Sequence, residues 1–344
     1  MPFPERTNHS ILVVGCGSIG RRHIGNLQSL GVDRIAACDT DPDQLAQAAS
    51  KFGVSGYGSL EEALDAAAPD AVVVCTPPLL HVLQAFDAVR AGAHVFLEKP
   101  LSHSLDGVDA LIREAATAQR IIQVGYNFRF HKGLRIIKGM LDRDVIGRVL
   151  WARAEVGQYL PDWRPTQDYR RSYTAHRSQG GGIILDGSHE IDYMRWFFGE
   201  VERVYCLADT LSSLDVDAED TACMTLRFKS GCVGQIHVDF VQRARARNCK
   251  IVGTEGTILW DNWDASVQVF AAETNGWDRI EVPGDTNDKY LTEMESFLSC
   301  LDGTRQPEVD AQSARQTLEV ALAAHESART GREVSIPYQE GGSG

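Results

Sequence analysis

Two stretches of this chain carry residue types suited to chemistry on a nucleotide and its partner. The first is Gly15-Cys-Gly-Ser-Ile-Gly20, which follows the apolar run Ile11-Leu12-Val13-Val14 and opens a helical segment. A G-x-G-x-x-G in that setting predicts a dinucleotide site. Gly15 allows the tight turn, Gly17 lets backbone approach a pyrophosphate, and Gly20 lets helix and strand pack closely. Ser18 and Ile19 complete the loop, where the helix N-terminus offers N–H groups to phosphate. Asp39 follows Gly20 at close to the ~20 residues expected of an acid on the ribose hydroxyls. A carboxylate there repels a 2′-phosphate, and the next residues, Thr40 and Asp41, supply no arginine. NAD is therefore favoured over NADP. Asp41, with Pro42 behind it, is the better cap for the following helix.

The second stretch is Glu98-Lys99-Pro100, after the strand-like Val95-Phe96-Leu97. Proline lacks an N–H and stops the ladder there, so Lys99 is expected at the mouth of the nucleotide site. Further on, Gly180-Gly-Gly precedes Asp186 and His189 at the start of a helix. The glycines permit close approach of backbone and ligand. Two readings of the polar pair stand side by side: a helix-capping Asp186 with an exposed His189, or a site histidine facing away from the buried stripe Ile191, Met194 and Phe198. No second histidine stands at a ligand spacing, so no metal is expected. Trp163, Arg164 and Tyr169 lie in a loop dense in aromatics and arginines. It suits either a polar ligand or solvent.

The elements that must position these residues change character midway. Strand-like runs at 11–14, 34–38, 54–57, 71–75, 95–97 and 121–124 alternate with helical segments, including one from about 104 to 118. That alternation predicts an α/β, doubly wound parallel sheet in a Rossmann domain, residues 1–125. Its ligands sit at the carboxyl ends of the strands, where Gly15, Asp39, Thr76, Glu98 and Gly125 fall. Beyond it, residues 126–340 read as a second α/β domain with a large open, mostly antiparallel sheet. Ala222, Met224, Leu226 and Phe228 give that sheet one apolar face, and the chain closes with a helix over about 311–330.

Composition bounds the function. The 344 residues are 43% hydrophobic and 24% charged, as in an ordinary globular protein. A net charge of −13 argues against nucleic-acid or membrane-surface partners. No apolar run approaches the ~20 residues of a span, and the first ten residues lack a signal-type apolar core. The eight cysteines show no C-x-x-C pair and read as reduced, buried thiols of a cytoplasmic protein.

Taken in order, Gly15-Cys-Gly-Ser-Ile-Gly20, Thr76-Pro-Pro-Leu-Leu-His81, Glu98-Lys-Pro100, Gly125-Tyr-Asn-Phe-Arg129 and Gly180-Gly-Gly…Asp186…His189…Asp192 resemble one family. It is the glucose–fructose oxidoreductase/inositol dehydrogenase family, Gfo/Idh/MocA, and the likeness runs from about Ile11 to Ile336. The resemblance implies hydride transfer between NAD(P) and a secondary alcohol or ketone of a sugar, cyclitol or sugar derivative. By motif, Lys99 and His189 match the family's catalytic lysine and histidine, and Asp186 its aspartate. The spacing here is D-x-x-H where the family commonly has D-x-x-x-H, and His131-Lys132 stands where the family has a proline. Thr76, Pro77, His81, Glu98 and Lys99 join the glycine loop and Asp39 in the implied cofactor set. Asn127, Arg129, Trp163, Arg164 and Tyr169 form the implied substrate set. A small-molecule polyol or sugar substrate and a homodimer or homotetramer through the open sheet are the expected partners. Two alternatives stand beside this reading: a glycosidase that oxidises a ring carbon transiently with bound NAD, and an NAD-sensing regulator without activity.

Overall fold

The computed structural model describes residues 7–163, 165 and 167–338; Arg164 lies outside the described residues. The chain divides into two compact units, Met1–Asn127 with Thr286–Arg315, and Phe128–Asp285 with Gln316–Gly344.

In the first unit, β1 (Thr7–Val14), β2 (Val32–Cys38), β3 (Ser55–Tyr57), β4 (Ala71–Val74), β5 (His94–Leu97) and β6 (Ile122–Val124) form a parallel sheet ordered 3-2-1-4-5-6. The crossovers are α1 (Ser18–Ser29), α2 (Pro42–Phe52), α3 (Leu60–Ala67), α4 (Pro78–Arg90) and α5 (Val108–Ala118). The central strands read as unbroken apolar runs because helices cover both faces. Asp41 caps α2 as expected, accepting from the Asp43 and Gln44 N–H groups, with Pro42 first in the helix. The helix expected from 104 starts instead at Val108. Ser102 and Ser104 turn the chain through their own hydroxyls, and Gly107 enters the helix at φ +73°, outside helical geometry.

The second unit holds α6 (Lys132–Leu141), β7 (Val149–Gly157), α7 (Ile183–Asp186), α8 (Ser188–Phe198), β8 (Val201–Asp209), β9 (Thr221–Phe228) and β10 (Val233–Asp239). Then come β11 (Ala246–Gly253), β12 (Gly256–Asp261), β13 (Ser266–Ala271) and β14 (Gly276–Glu281). Next, α9 (Asp288–Leu301) belongs to the first unit. Then α10 (Ala311–Thr330) crosses the boundary at Arg315, and β15 (Val334–Ser335) closes the second sheet. That sheet runs 14-13-12-11-7-10-9-8-15, antiparallel except for the β7–β10 pair. Burial alternates along β9, with Ala222, Met224, Leu226 and Phe228 inside and Cys223, Thr225 and Arg227 outside. Helices α6, α7 and α8 pack on the sheet, while Leu150, Trp151, Tyr205 and Leu207 stand exposed.

Sequence order alone assigns 286–315 to the second domain, yet this segment counts with the first. Met294, Phe297 and Leu298 of α9 are buried in one cluster with Ile11, Ile24, Leu27 and Phe96. Each such side chain contributes ~1.5–3 kcal/mol by leaving water, which makes α9 a structural part of the nucleotide-binding layer.

Candidate active site

The glycine loop of the first unit is fixed by contact. Gly15 sits at φ +91°, and a Cβ there would lie 2.8 Å from the Cys75 carbonyl carbon at the end of β4. A Cβ on Gly20 would come 1.8 Å from the Gly15 oxygen, so α1 packs against the turn at backbone distance. Nothing comes within 4 Å of a Cβ built on Gly17, the position expected to meet a pyrophosphate. Gly17 is also the N-cap of α1 and brings no side chain to its first N–H groups, with no acid in the first turn. Ser18 and Ile19 begin that turn.

Asp39 is aimed at this loop. Its Oδ2 accepts from the Cys16 N–H at 2.6 Å and its Oδ1 from the Asp41 N–H at 2.8 Å. A carboxylate has about four lone-pair positions, so two remain for hydroxyl donors. Arg21, which sequence reasoning passed over, donates to the Cys16 carbonyl at 2.8 Å and to Gln44 Oε1 at 2.6 Å. Cys16 is thus held through both its N–H and its carbonyl, and an arginine stands at the loop although none follows β2.

At the ends of β4 and β5 the expected residues meet. Thr76 donates its hydroxyl to Gln84 at 2.6 Å beside Pro77, which caps α4. His81 is buried, with its ring nitrogens 2.8 Å from the carbonyl oxygens of Thr76 and Pro100. Burial pushes its pKa down while the two carbonyls pull it up, and in its neutral form the ring donates to one of them at a time. Glu98 is buried, accepts from His23 Nε2 at 2.7 Å and from the Lys99 N–H at 3.2 Å. Burial pushes its carboxyl pKa up, but the His23 hydrogen bond and the charges of His23 and Lys99 outweigh burial and hold it below the ordinary value. Lys99 is half-buried at the end of β5, before a cis bond to Pro100. Asn127 is buried after β6, and its Oδ1 has no partner among the described residues.

These features fit a dinucleotide: an open cradle at Gly17, an uncapped helix start, a carboxylate with spare acceptor sites, and a buried amide oxygen without a partner. The residues that would hold NAD are those of the glycine loop, Asp39, Thr76 and Pro77.

In the second unit, the glycines before α7 serve the chain itself. Gly182 has φ +105°, and a Cβ there would meet Glu219 Oε1 at 2.3 Å. Glu219 accepts from the Ile183 and Ile184 N–H groups through its backbone and side chain, closing the start of α7. The close approach expected for a ligand is made here by Glu219. Asp186 does not cap α8, whose N-cap is Gly187. It is buried, accepting from the Tyr173 hydroxyl at 2.9 Å and the Thr174 hydroxyl at 2.8 Å. His189, in the first turn of α8, is 7% exposed, which excludes the exposed-histidine reading. Its ring lies 5.0 Å from that of Phe128, which stacks on His131 and carries the Arg247 guanidinium at 4.0 Å.

Helix α8 is pinned by two forks, one buried and one part-buried. Arg129 donates to both carboxylate oxygens of Asp192 at 2.9 and 2.8 Å. Arg247 donates to both oxygens of Glu190 at 2.8 and 2.9 Å. Both acids follow His189 within three positions on α8, so each fork fixes the helix that carries it. Arg129, expected on substrate, spends its Nε and Nη2 donors on Asp192. Glu190 and Arg247 were not singled out by sequence, because a salt bridge between residues far apart leaves no local spacing. Trp163 donates its indole N–H to the Gln158 carbonyl at 2.9 Å, and the Tyr169 hydroxyl accepts from the Asp215 N–H at 3.1 Å. The first bond stays within its own loop, and the second ties that loop to the segment between β8 and β9.

Among the described residues no group of three His, Cys, Asp or Glu is arranged to hold a metal, and no helix is long and apolar enough to cross a membrane.

Two family models match this chain. The model of the oxidoreductase family with an NAD-binding Rossmann fold matches residues 9–126, and that of the GFO/IDH/MocA C-terminal domain matches 134–259. Myo-inositol 2-dehydrogenase of Thermotoga maritima is 30% identical over 94% of this chain and 97% of its own length. The 1,5-anhydro-D-fructose reductase of Ensifer adhaerens is 26% identical over the same shares. Among solved structures, the WlbA dehydrogenase of Bordetella pertussis in complex with NADH and UDP-GlcNAcA superposes with a TM-score of 0.83 at 27% identity. It covers 97% of this chain and all of that one.

Proposed function

Because the chain belongs to the Gfo/Idh/MocA family of NAD-binding oxidoreductases, we propose that it oxidises a secondary alcohol of a cyclitol, sugar or sugar derivative through Lys99 and His189. The observation that carries the reading is the clustering at one sheet edge. The glycine loop, Asp39, Thr76-Pro77 and Glu98-Lys99 all follow the carboxyl ends of adjacent parallel strands, where open α/β sheets bind ligands.

The residues divide the work. The N–H groups at the start of α1 hold the pyrophosphate, and the acceptor sites left on Asp39 take the ribose hydroxyls. NAD, when bound, supplies the hydride acceptor. His189 takes the hydroxyl proton of the substrate, since an imidazole exchanges protons near neutrality. Lys99 donates a hydrogen bond to the same oxygen and stabilises the charge that grows on it. Asp186, fixed by Tyr173 and Thr174, presents a carboxylate next to the helix that carries His189 and orients the substrate hydroxyls. The forks on Glu190 and Asp192 keep that helix from shifting, which matters because misplacement by about an ångström costs ~10²-fold in rate.

The names of the relatives favour a cyclic polyol: a myo-inositol dehydrogenase, an anhydro-sugar reductase and a dehydrogenase crystallised with a nucleotide sugar acid. We further propose a homodimer or homotetramer through the open face of the second sheet, in the cytoplasm. The exposed Trp151, Tyr205 and Leu207 support the first and eight unpaired cysteines the second.

The test is reduction of NAD by the purified protein against inositols, anhydro-sugars and nucleotide sugar acids, repeated with NADP and with Asp39→Ala. The expected result is turnover of at least one cyclic polyol with NAD, a large preference over NADP, and loss of that preference in the variant. A wild-type preference for NADP sinks the reading of Asp39. Binding of NAD without reduction by any polyol sinks the proposed activity.

A further inference from the structure

The residues after β2 supply no arginine, yet α1 brings one to the same turn. Arg21 stands in the first turn of α1, directly after Gly20. Its Nη1 donates to the Cys16 carbonyl at 2.8 Å and to Oε1 of Gln44, the third residue of α2, at 2.6 Å. Asp39 Oδ2 accepts from the N–H of the same Cys16 at 2.6 Å. One residue of the glycine loop therefore has a carboxylate on its N–H and a guanidinium on its carbonyl.

These bonds leave much of Arg21 unspent. A guanidinium has five N–H donors, and both bonds come from Nη1. Nε and Nη2 make no hydrogen bond among the described residues, and both partners of Nη1 are neutral. Arg21 also lines an open groove of about 390 Å³, together with Ser18, Arg22 and Lys51. Arg22 and Lys51 rest on the ring faces of Tyr290 and Phe52, at 4.4 and 5.1 Å. Three cations and no carboxylate line this groove, in a chain whose net charge is −13. The acids gather at the turn after β2 instead. Asp41 is occupied in capping α2, and Asp43 stands exposed in the first turn of that helix. Asp39 is the acid that meets the glycine loop.

We propose that Arg21 is a second determinant of cofactor choice: a guanidinium placed to take a 2′-phosphate, which the Asp39 carboxylate shuts out. The proposal rests on the reading of Asp39 as the ribose acid. Guanidinium donors lie in a planar fork that matches phosphate oxygens, and Arg21 has three of them to spare. Asp39 opposes a phosphate through like charge at short range. In wild type the two groups act on a 2′-phosphate in opposite senses. The carboxylate prevails because it meets the ribose hydroxyls themselves. Asp39 thus sets the sign of the preference for NAD, and Arg21 limits its size. An arginine that merely pinned the loop through Cys16 would serve both dinucleotides alike, so the ratio of their affinities separates the two roles.

Titration of the full-length protein with NADH and NADPH, read by nicotinamide fluorescence and calorimetry, tests this without any substrate. Asp39→Ala should bring NADPH affinity at least level with that for NADH. Adding Arg21→Ala should then cost NADPH roughly 10–100-fold more affinity than NADH, the scale of a charge-assisted hydrogen bond. Adding Arg21→Lys instead should keep most of the gain, because the charge stays. This variant also gives a readout if Arg21→Ala proves unfolded in a thermal melt. In the wild-type background, Arg21→Ala should widen the preference for NADH. Equal losses of NADH and NADPH affinity on replacing Arg21 overturn the proposal. So does a gain of NADPH affinity in Asp39→Ala that survives the loss of Arg21, or no gain in Asp39→Ala while NADH still binds. A preference for NADPH in wild type overturns the reading of Asp39 itself, and it is seen before any substitution is made.

Discussion

His189 owes its place to residues that touch neither proton nor hydride. The Arg129–Asp192 fork is the clearest of these, since both side chains are nearly fully buried and share two hydrogen bonds. Removing one partner of such a pair leaves a charge stranded in low dielectric, at a cost of ~3–5 kcal/mol. Arg129→Ala should therefore lower unfolding stability by about that amount and depress kcat through His189, while NAD affinity, set in the other unit, changes little. Urea unfolding and NAD titration check it, and intact stability in the variant would show that Asp192 finds another counter-charge. This residue also marks a limit of sequence reading. Its place in the G-Y-N-F-R motif was legible and the family resemblance put it on the substrate, but nothing local reveals a carboxylate 63 positions away. Asp39 was legible because its partner, the Cys16 peptide, belongs to a turn whose geometry the glycines dictate.

Elements were legible where the hydrophobic period is strong. The βα alternation of the first unit and the period-two strands of the second stand close to where the pattern puts them, as does α10. What sequence did not reveal is where local side-chain chemistry or long-range packing overrides the period. Serine turns delay α5, Glu219 rather than a ligand fills the space beside Gly182, and α9 joins the first sheet across more than 150 residues of intervening chain. The glycine turn gives the sharpest prediction at this scale. In Gly20→Ala a methyl group would have to occupy space 1.8 Å from the Gly15 oxygen, so α1 must move away from the turn whose N–H groups face the cofactor. NAD affinity should fall at least tenfold and Tm should drop, both measurable by fluorescence titration and thermal unfolding. Gly17→Ala, with open space around its Cβ, should leave Tm unchanged and weaken only NAD binding, because the backbone approach it guards is to the ligand. Equal behaviour of the two variants would count against the separate tasks assigned to them.

At the scale of the whole molecule, the first unit contains the glycine loop, Asp39 and Lys99, and the second contains Asp186 and His189. Leu150, Trp151, Tyr205 and Leu207 stand exposed on the second sheet, and if the assembly proposed above forms there, light scattering at micromolar concentration should find dimers or tetramers. Particles of monomer size alone would remove that face as an assembly surface. The central proposal is that Lys99 and His189 both serve proton transfer from a polyol hydroxyl. Steady-state kinetics on the best polyol, comparing wild type with Lys99→Ala and His189→Ala, test it most directly. Each variant should lose roughly 10²–10⁴-fold in kcat, the scale of general acid–base catalysis, while His189→Ala still binds NAD as tightly as wild type. Wild-type turnover in both variants, folded and NAD-bound, would contradict the account.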